Sequence, residues 1–298
     1  MDIKNITGLE KPLEKLIETV GNAVGVVGNH FFGFDAAKIK RTGEAEAEAE
    51  RKKIIVQAKG QEQAVAILDR AVKRFAIEQY NKQINLENIL VATKDELKGK
   101  TVSDKPVEKD WTMRFLDIAQ GVSREDMQKI LAKILAGEIQ RPGDFSYQTL
   151  EVIKFLLQKD LQRFLKFIAI STDVGVMKLR ARGKDSLKKY NLSFGDYLEL
   201  SSMGLFNQSS MISYDIKLPA QTLLHINIGR ELFLVSHEDM EATKKFNFGL
   251  YIFSAPGREL RSILLNEANN EKKEEFVQDF IEEVRQKGFK ISRQSIVK

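Results

Sequence analysis

Cysteine is absent from this chain of 298 residues, which excludes disulfides, thiolate metal sites and a cysteine nucleophile together. Histidine is almost as scarce. His30, His225 and His237 are the three present, and none belongs to an HExxH motif or to a histidine pair at i,i+4. His237-Glu238-Asp239 reads as loop or helix-cap chemistry. Gly21-x-x-x-Gly25-x-x-Gly28 lacks both the preceding strand and the Gly-Lys-Ser/Thr ending that a phosphate loop needs. No catalytic residue, metal set or cofactor is expected.

Long apolar runs are also missing. No segment reaches the 18 or so uninterrupted apolar residues of a spanning helix. Asp2, Lys4, Glu10 and Glu14 interrupt the N-terminus where a signal peptide would be apolar. A cytoplasmic protein is expected, or one peripheral at the inner membrane face. The chain is 43% hydrophobic, enough for a sizeable core, and its net charge of +5 is mildly basic. That balance is compatible with nucleic acid or an anionic membrane and requires neither.

The most ordered sequence signals run from Asp110 to Leu157, which read as three short helices. Trp111, the single tryptophan, anchors the group with Phe115. Ser123 is placed to cap the second helix, with Asp126 where a capping box carries its acid. Met127, Ile130, Leu131, Ile134 and Leu135 recur at helical spacing as a buried stripe. Arg141-Pro142-Gly143 stops that helix, and Asp144 or Ser146 can cap the next. Gly137 fits close helix packing, and Glu138 fits a carboxylate capping a helix end.

Four segments are expected: a glycine-notched amphipathic helix (1–34), a long charged helical arm (35–98), a helical bundle (109–172) and an α+β domain (173–298). The fold class is therefore mainly α, with a smaller α+β C-terminal part. In the arm, Glu44, Glu46, Glu48 and Glu50 precede Arg51, Lys52 and Lys53, favouring an exposed helix. The arm extends to about Tyr80, a reach of about 65–70 Å, and a separate short helix, INLENILVATKDEL, follows it.

Three surfaces are candidates for binding. A seam at spacing 3-4 through Ile54, Ala58, Val65, Leu68, Val72 and Phe75 suits oligomerisation, although a helix folded back on its own domain fits equally. Phe31, Phe32 and Phe34 with Lys38, Lys40 and Arg41 suit an anionic membrane surface or a partner; plain docking within the fold is the alternative. Lys178, Arg180, Arg182, Lys184, Lys188 and Lys189 form a basic cluster in an irregular stretch, suited to nucleic acid or simply to solvent.

The final third reads as a helix ending in a turn at Gly204, then strands near 211–218, 222–228, 231–236 and 246–253. Ser254-Ala255-Pro256-Gly257 starts a helix, and a last amphipathic helix covers roughly 271–287. That order fits a winged-helix-like domain or a generic α+β domain.

With these residues in view, the central segment resembles the bacterial family called domain of unknown function 2806. The resemblance rests on Trp111-x-x-x-Phe115, Ile-Leu-Ala-Gly-Glu-Ile (134–139), Pro-Gly-x-Phe-Ser (142–146), Thr-Leu-Glu (149–151) and Gly-Arg-Glu-Leu (257–260). Tyr147 departs from it, standing where an arginine is expected. The family implies no activity or catalytic residue; similar layouts resemble proteins of abortive infection and phage exclusion. Two functions stay open: a non-enzymatic, oligomeric interaction protein acting in phage defence, and a winged-helix-like DNA-binding regulator using the basic C-terminal half.

Overall fold

The structure is a computed structural model, and it describes residues 11–24, 62–179, 187–207, 213–238 and 243–294. The chain divides into two compact units, 1–144 and 145–298. This division falls within the segment 109–172 expected as one bundle. The chain is mainly α, with two small antiparallel sheets in the second unit. Among the described residues no helix is long and apolar enough to cross a membrane.

The first unit holds α1 (Lys11–Val24), α2 (Glu62–Leu97), α3 (Lys109–Ala119) and α4 (Glu125–Gln140). The stripe read from the sequence is the core: Met127, Ile130, Leu131, Ile134, Leu135 and Ile139 of α4 are all buried. Trp111 and Phe115 stack with centroids 5.4 Å apart and are also buried. From α1, Leu16, Ile17 and Val20 complete the packing.

Helix α2 is one unbroken run of 36 residues, about 54 Å at 1.5 Å per residue. The break expected after Tyr80 does not occur: no breaker residue interrupts the stretch, and Glu78 and Lys82 pair one turn apart across it. Its second half buries Ile89, Leu90, Thr93 and Leu97, packing on α3 and α4. A buried amide pair fixes that register. Asn85 Nδ2 donates to Gln120 O (2.9 Å), and Gln128 Nε2 donates to Val122 O (2.9 Å) and to Asn85 Oδ1 (3.3 Å).

The cap expected from Ser123 is not formed. Helix α4 starts one residue later, with Arg124 at the N-cap and no side-chain cap bond. The Asp126 carboxylate is taken by the Arg124 guanidinium at 2.6 Å and by the Met127 N–H at 2.9 Å. These contacts hold the Asp126 carboxyl below its ordinary range, the Arg124 hydrogen bond contributing most.

The second unit runs α5 (Tyr147–Phe155), α6 (Gln158–Ala169), β1 (Gly175–Lys178), a 3-10 turn (Lys188–Tyr190), α7 (Phe194–Ser202), β2 (Ser213–Leu218), β3 (Leu224–Ile228), β4 (Glu231–Ser236), β5 (Lys244–Ile252), α8 (Ala255–Leu264), α9 (Lys273–Gln286) and β6 (Lys290–Gln294). One sheet has the order β1-β5-β2 and the other β3-β4-β6, both antiparallel. The strands at β2 to β5 and the helices α8 and α9 match the sequence expectations within a few residues. β1 and β6 do not: no strand is expected from the sequence at either place.

Strand β5 organises the core, because alternate residues face opposite sides of a sheet. Phe246 and Phe248 face one side, where Phe246 meets Phe289 at 5.3 Å and Phe248 meets Phe280 of α9 at 5.8 Å. Tyr251 and Phe253 face the other, against Tyr197 of α7 (4.6 Å) and Phe206 (4.8 Å). Thus the β1-β5-β2 sheet is covered on both faces, by α6 and α7 on one side and by α9 on the other.

Candidate interaction surfaces and the signature motif

The residues that carry the family resemblance turn out to hold the fold together. Glu138 is 2% exposed and its Oε1 accepts from the Gly143 N–H at 2.7 Å, closing the turn after α4. Ser146 caps α5 by accepting from the Thr149 N–H. Glu259, from Gly-Arg-Glu-Leu, then joins this cap to α8. Its Oε2 accepts from the Ser146 N–H (2.8 Å), the Ser146 hydroxyl (3.1 Å) and the buried Thr149 hydroxyl (2.5 Å). Gly257 lies so close to the Leu205 carbonyl that an added Cβ would come within 2.0 Å of its oxygen. A serine beside a carboxylate invites a catalytic reading, but the Ser146 hydroxyl caps α5, and among the described residues no histidine hydrogen-bonds to it or to Glu259.

Helix α7 is fixed at both ends. Ser193 and Asp196 form a reciprocal capping box. Gly204 has φ +87° and donates to Ser201 O, while Leu205 donates to Leu200 O; this is the glycine-terminated turn expected there. The helix buries Tyr197, Leu200 and Ser201 and leaves Phe194 44% and Leu198 51% exposed. No lysine or arginine lies within it.

One cation serves three carboxylates beside that helix. Arg163 of α6 lies 3.1 Å from Asp196, 3.4 Å from Asp160 and in direct contact with Glu199. Asp160 is fully buried, and its Oδ2 has no hydrogen-bond partner. A buried polar atom left unpaired costs about 1–3 kcal/mol, so this corner of the unit holds negative charge in excess.

Of the basic cluster the structure describes Lys178, Lys188 and Lys189. Lys178 Nζ sits 4.5 Å over the Tyr251 ring, and burial pushes its pKa down. Lys188 and Lys189 belong to the 3-10 turn. Lys189 pairs with Asp279 (2.6 Å) and Glu275 (3.7 Å) of α9, and the Asp279 contact raises its pKa. Tyr190 beside it donates to Asp279 at 2.7 Å; burial, then that carboxylate, push its hydroxyl far above the ordinary tyrosine range. Arg180, Arg182 and Lys184 lie outside the described residues.

The membrane set, Phe31, Phe32, Phe34, Lys38, Lys40 and Arg41, lies wholly outside the described residues, as do Ile54 and Ala58 of the seam. The rest of the seam is on the first half of α2, where Val65, Leu68 and Val72 are half-buried and Phe75 is 58% exposed. Sequence reasoning missed the face of α7. Its signal was present: Phe194 and Leu198 are four residues apart, one above the other on a helix.

Among the described residues no group of three or more His, Asp or Glu side chains is placed to hold a metal ion. A cavity of about 110 Å³ between the sheets, lined by Met177, Ile216, Ile226, Phe246 and Leu250, is well below the roughly 300 Å³ of ordinary ligand pockets. Two open grooves of about 400 and 490 Å³ are lined chiefly by Lys15, Glu18 and Thr19 and by Leu223, Leu234, Arg285 and Lys290.

No curated protein and no solved structure matches the chain. A family model does match, over residues 69–280, which is more than two-thirds of the sequence and takes in every motif on which the family resemblance rests. The chain belongs to the family described as Protein of unknown function (DUF2806).

Proposed function

We propose that the chain is a non-enzymatic interaction protein that self-associates through α2. The observation that carries this reading is the contrast between the two halves of that helix. The second half is buried in the first unit, whereas Val65, Leu68, Val72 and Phe75 leave an apolar stripe only partly covered. These residues follow the 3-4 spacing of a coiled-coil seam. Exposed ion pairs flank them, Asp69 with Lys73 and Glu78 with Lys82, as on the outer positions of such a coil. A second copy supplies the same stripe and is the simplest cover for it. Sedimentation over a concentration series tests the reading: mass should rise with concentration, and a monomer throughout would contradict it. Contact of residues 31–41 with an anionic membrane and a role in phage defence belong to the same proposal, tested by vesicle flotation and by plaque counts.

A second reading, the winged-helix-like DNA-binding regulator, is favoured by topology. The succession α6, β1, 3-10 turn, α7, β2, β5 with sheet order β1-β5-β2 fits that domain, α7 standing where a recognition helix stands. Two features weigh against DNA as the ligand. The α7 face carries Phe194, Leu198 and Glu199 without a cation. The segment that would form the wing holds β3 and β4, and β4 is paired with β6. The reading requires salt-sensitive duplex binding that substitutions on α7 abolish.

A further inference from the structure

We infer that the solvent face of α7 docks a basic, amphipathic segment of a partner protein. The inference rests on the reading of the chain as an interaction protein and gives the chemistry of its partner. Phe194 and Leu198, one turn apart, leave about half of their surface in water, on a helix whose two ends are already locked by a capping box and a glycine turn. A rigid apolar pair of this kind binds without an ordering cost of its own. Its surroundings set the sign of the partner. Asp160, Asp196 and Glu199 share the single guanidinium of Arg163, an excess of two negative charges among four groups. Glu199 is the outermost, with 55% of its side chain exposed. A partner lysine or arginine beside an apolar anchor would take Glu199 and leave Arg163 to Asp160 and Asp196, cutting the excess from two negative charges to one.

The same charges reject the alternatives. Phosphates of nucleic acid or of anionic lipid would meet Glu199 with no cation on α7 to offset it. A second copy presenting this face would oppose like charges across the interface. The rest of the molecule works in the same direction, because a net charge of +5 disfavours unspecific capture of a basic peptide elsewhere.

The test titrates the full-length protein into a labelled 14-residue helical peptide of leucine and lysine, followed by fluorescence anisotropy. A peptide with glutamate in place of lysine and a DNA duplex serve as parallel probes. The leucine–lysine peptide should bind. Leu198→Ser should weaken it at least tenfold, and Glu199→Gln should weaken it severalfold and flatten its salt dependence. Both changes lie at exposed positions, and unchanged circular dichroism of either variant shows that the fold is intact. Absence of binding, affinity for the Leu198→Ser or Glu199→Gln variant equal to that for the native chain, or preference for the glutamate peptide or the duplex would overturn the inference. Sedimentation of the same samples keeps the two proposals apart: Leu198→Ser should leave the oligomer unchanged, and a native chain that stays monomeric yet binds the leucine–lysine peptide counts against α2 alone.

Discussion

Glu259 ties together parts of the second unit that are distant in sequence. One of its oxygens takes three donors from the turn that starts α5, more than a hundred residues away in sequence. Hydrogen bonds to a charged group contribute about 1.5–3 kcal/mol, so Glu259→Ala should cost about 2–3 kcal/mol, read from denaturant midpoints at unchanged slope. Tyr190 makes a different kind of demand. Burial and the Asp279 carboxylate raise its pKa, so the folded chain keeps the phenol neutral where the unfolded chain ionises it, near pH 10. Its contribution is therefore complete below about pH 10 and is lost as pH rises further. Tyr190→Phe should cost about 1 kcal/mol at pH 8, and the variant should lose less stability than the native chain between pH 8 and pH 11. An equal loss in both would contradict the assignment.

At the scale of elements, legibility followed local chemistry. The α4 stripe, the Ser146 and Ser254 caps and the Gly204 turn were readable because each is set by a few neighbouring residues. Ser123 failed as a cap because its intended partner, Asp126, found Arg124 instead. Strand β1 was hidden in a basic stretch: its Gly175-Val176-Met177-Lys178 is too short to alternate visibly and forms by pairing with β5. Strand β6, Lys290–Gln294, is polar and largely exposed, and is defined by its ladder with β4. Both are tertiary outcomes, invisible to periodicity. Of the candidate surfaces, the α2 seam was legible from spacing, whereas the α7 face depends on Arg163, which comes from another helix. The capping box gives α7 its own test. Ser193→Ala should cost about 1 kcal/mol and, by loosening the first turn that carries Phe194, weaken the leucine–lysine peptide; unchanged stability would show the box to be dispensable.

For the whole molecule, two units carry two different faces, and the account assigns them separate tasks. The first unit extends the partly covered stripe of α2; the second holds a doubly covered sheet and the acidic, apolar face of α7. We propose that a chain organised in this way brings copies and partners together, with α2 joining the copies. The most direct measurement is the mass of the full-length protein by light scattering, beside a Leu68→Glu/Phe75→Glu variant with unchanged circular dichroism. The account predicts an oligomer for the native chain and a monomer for the variant, because two buried glutamates facing their symmetry mates would charge the seam. The same oligomer in both, or a monomer in both, would contradict it.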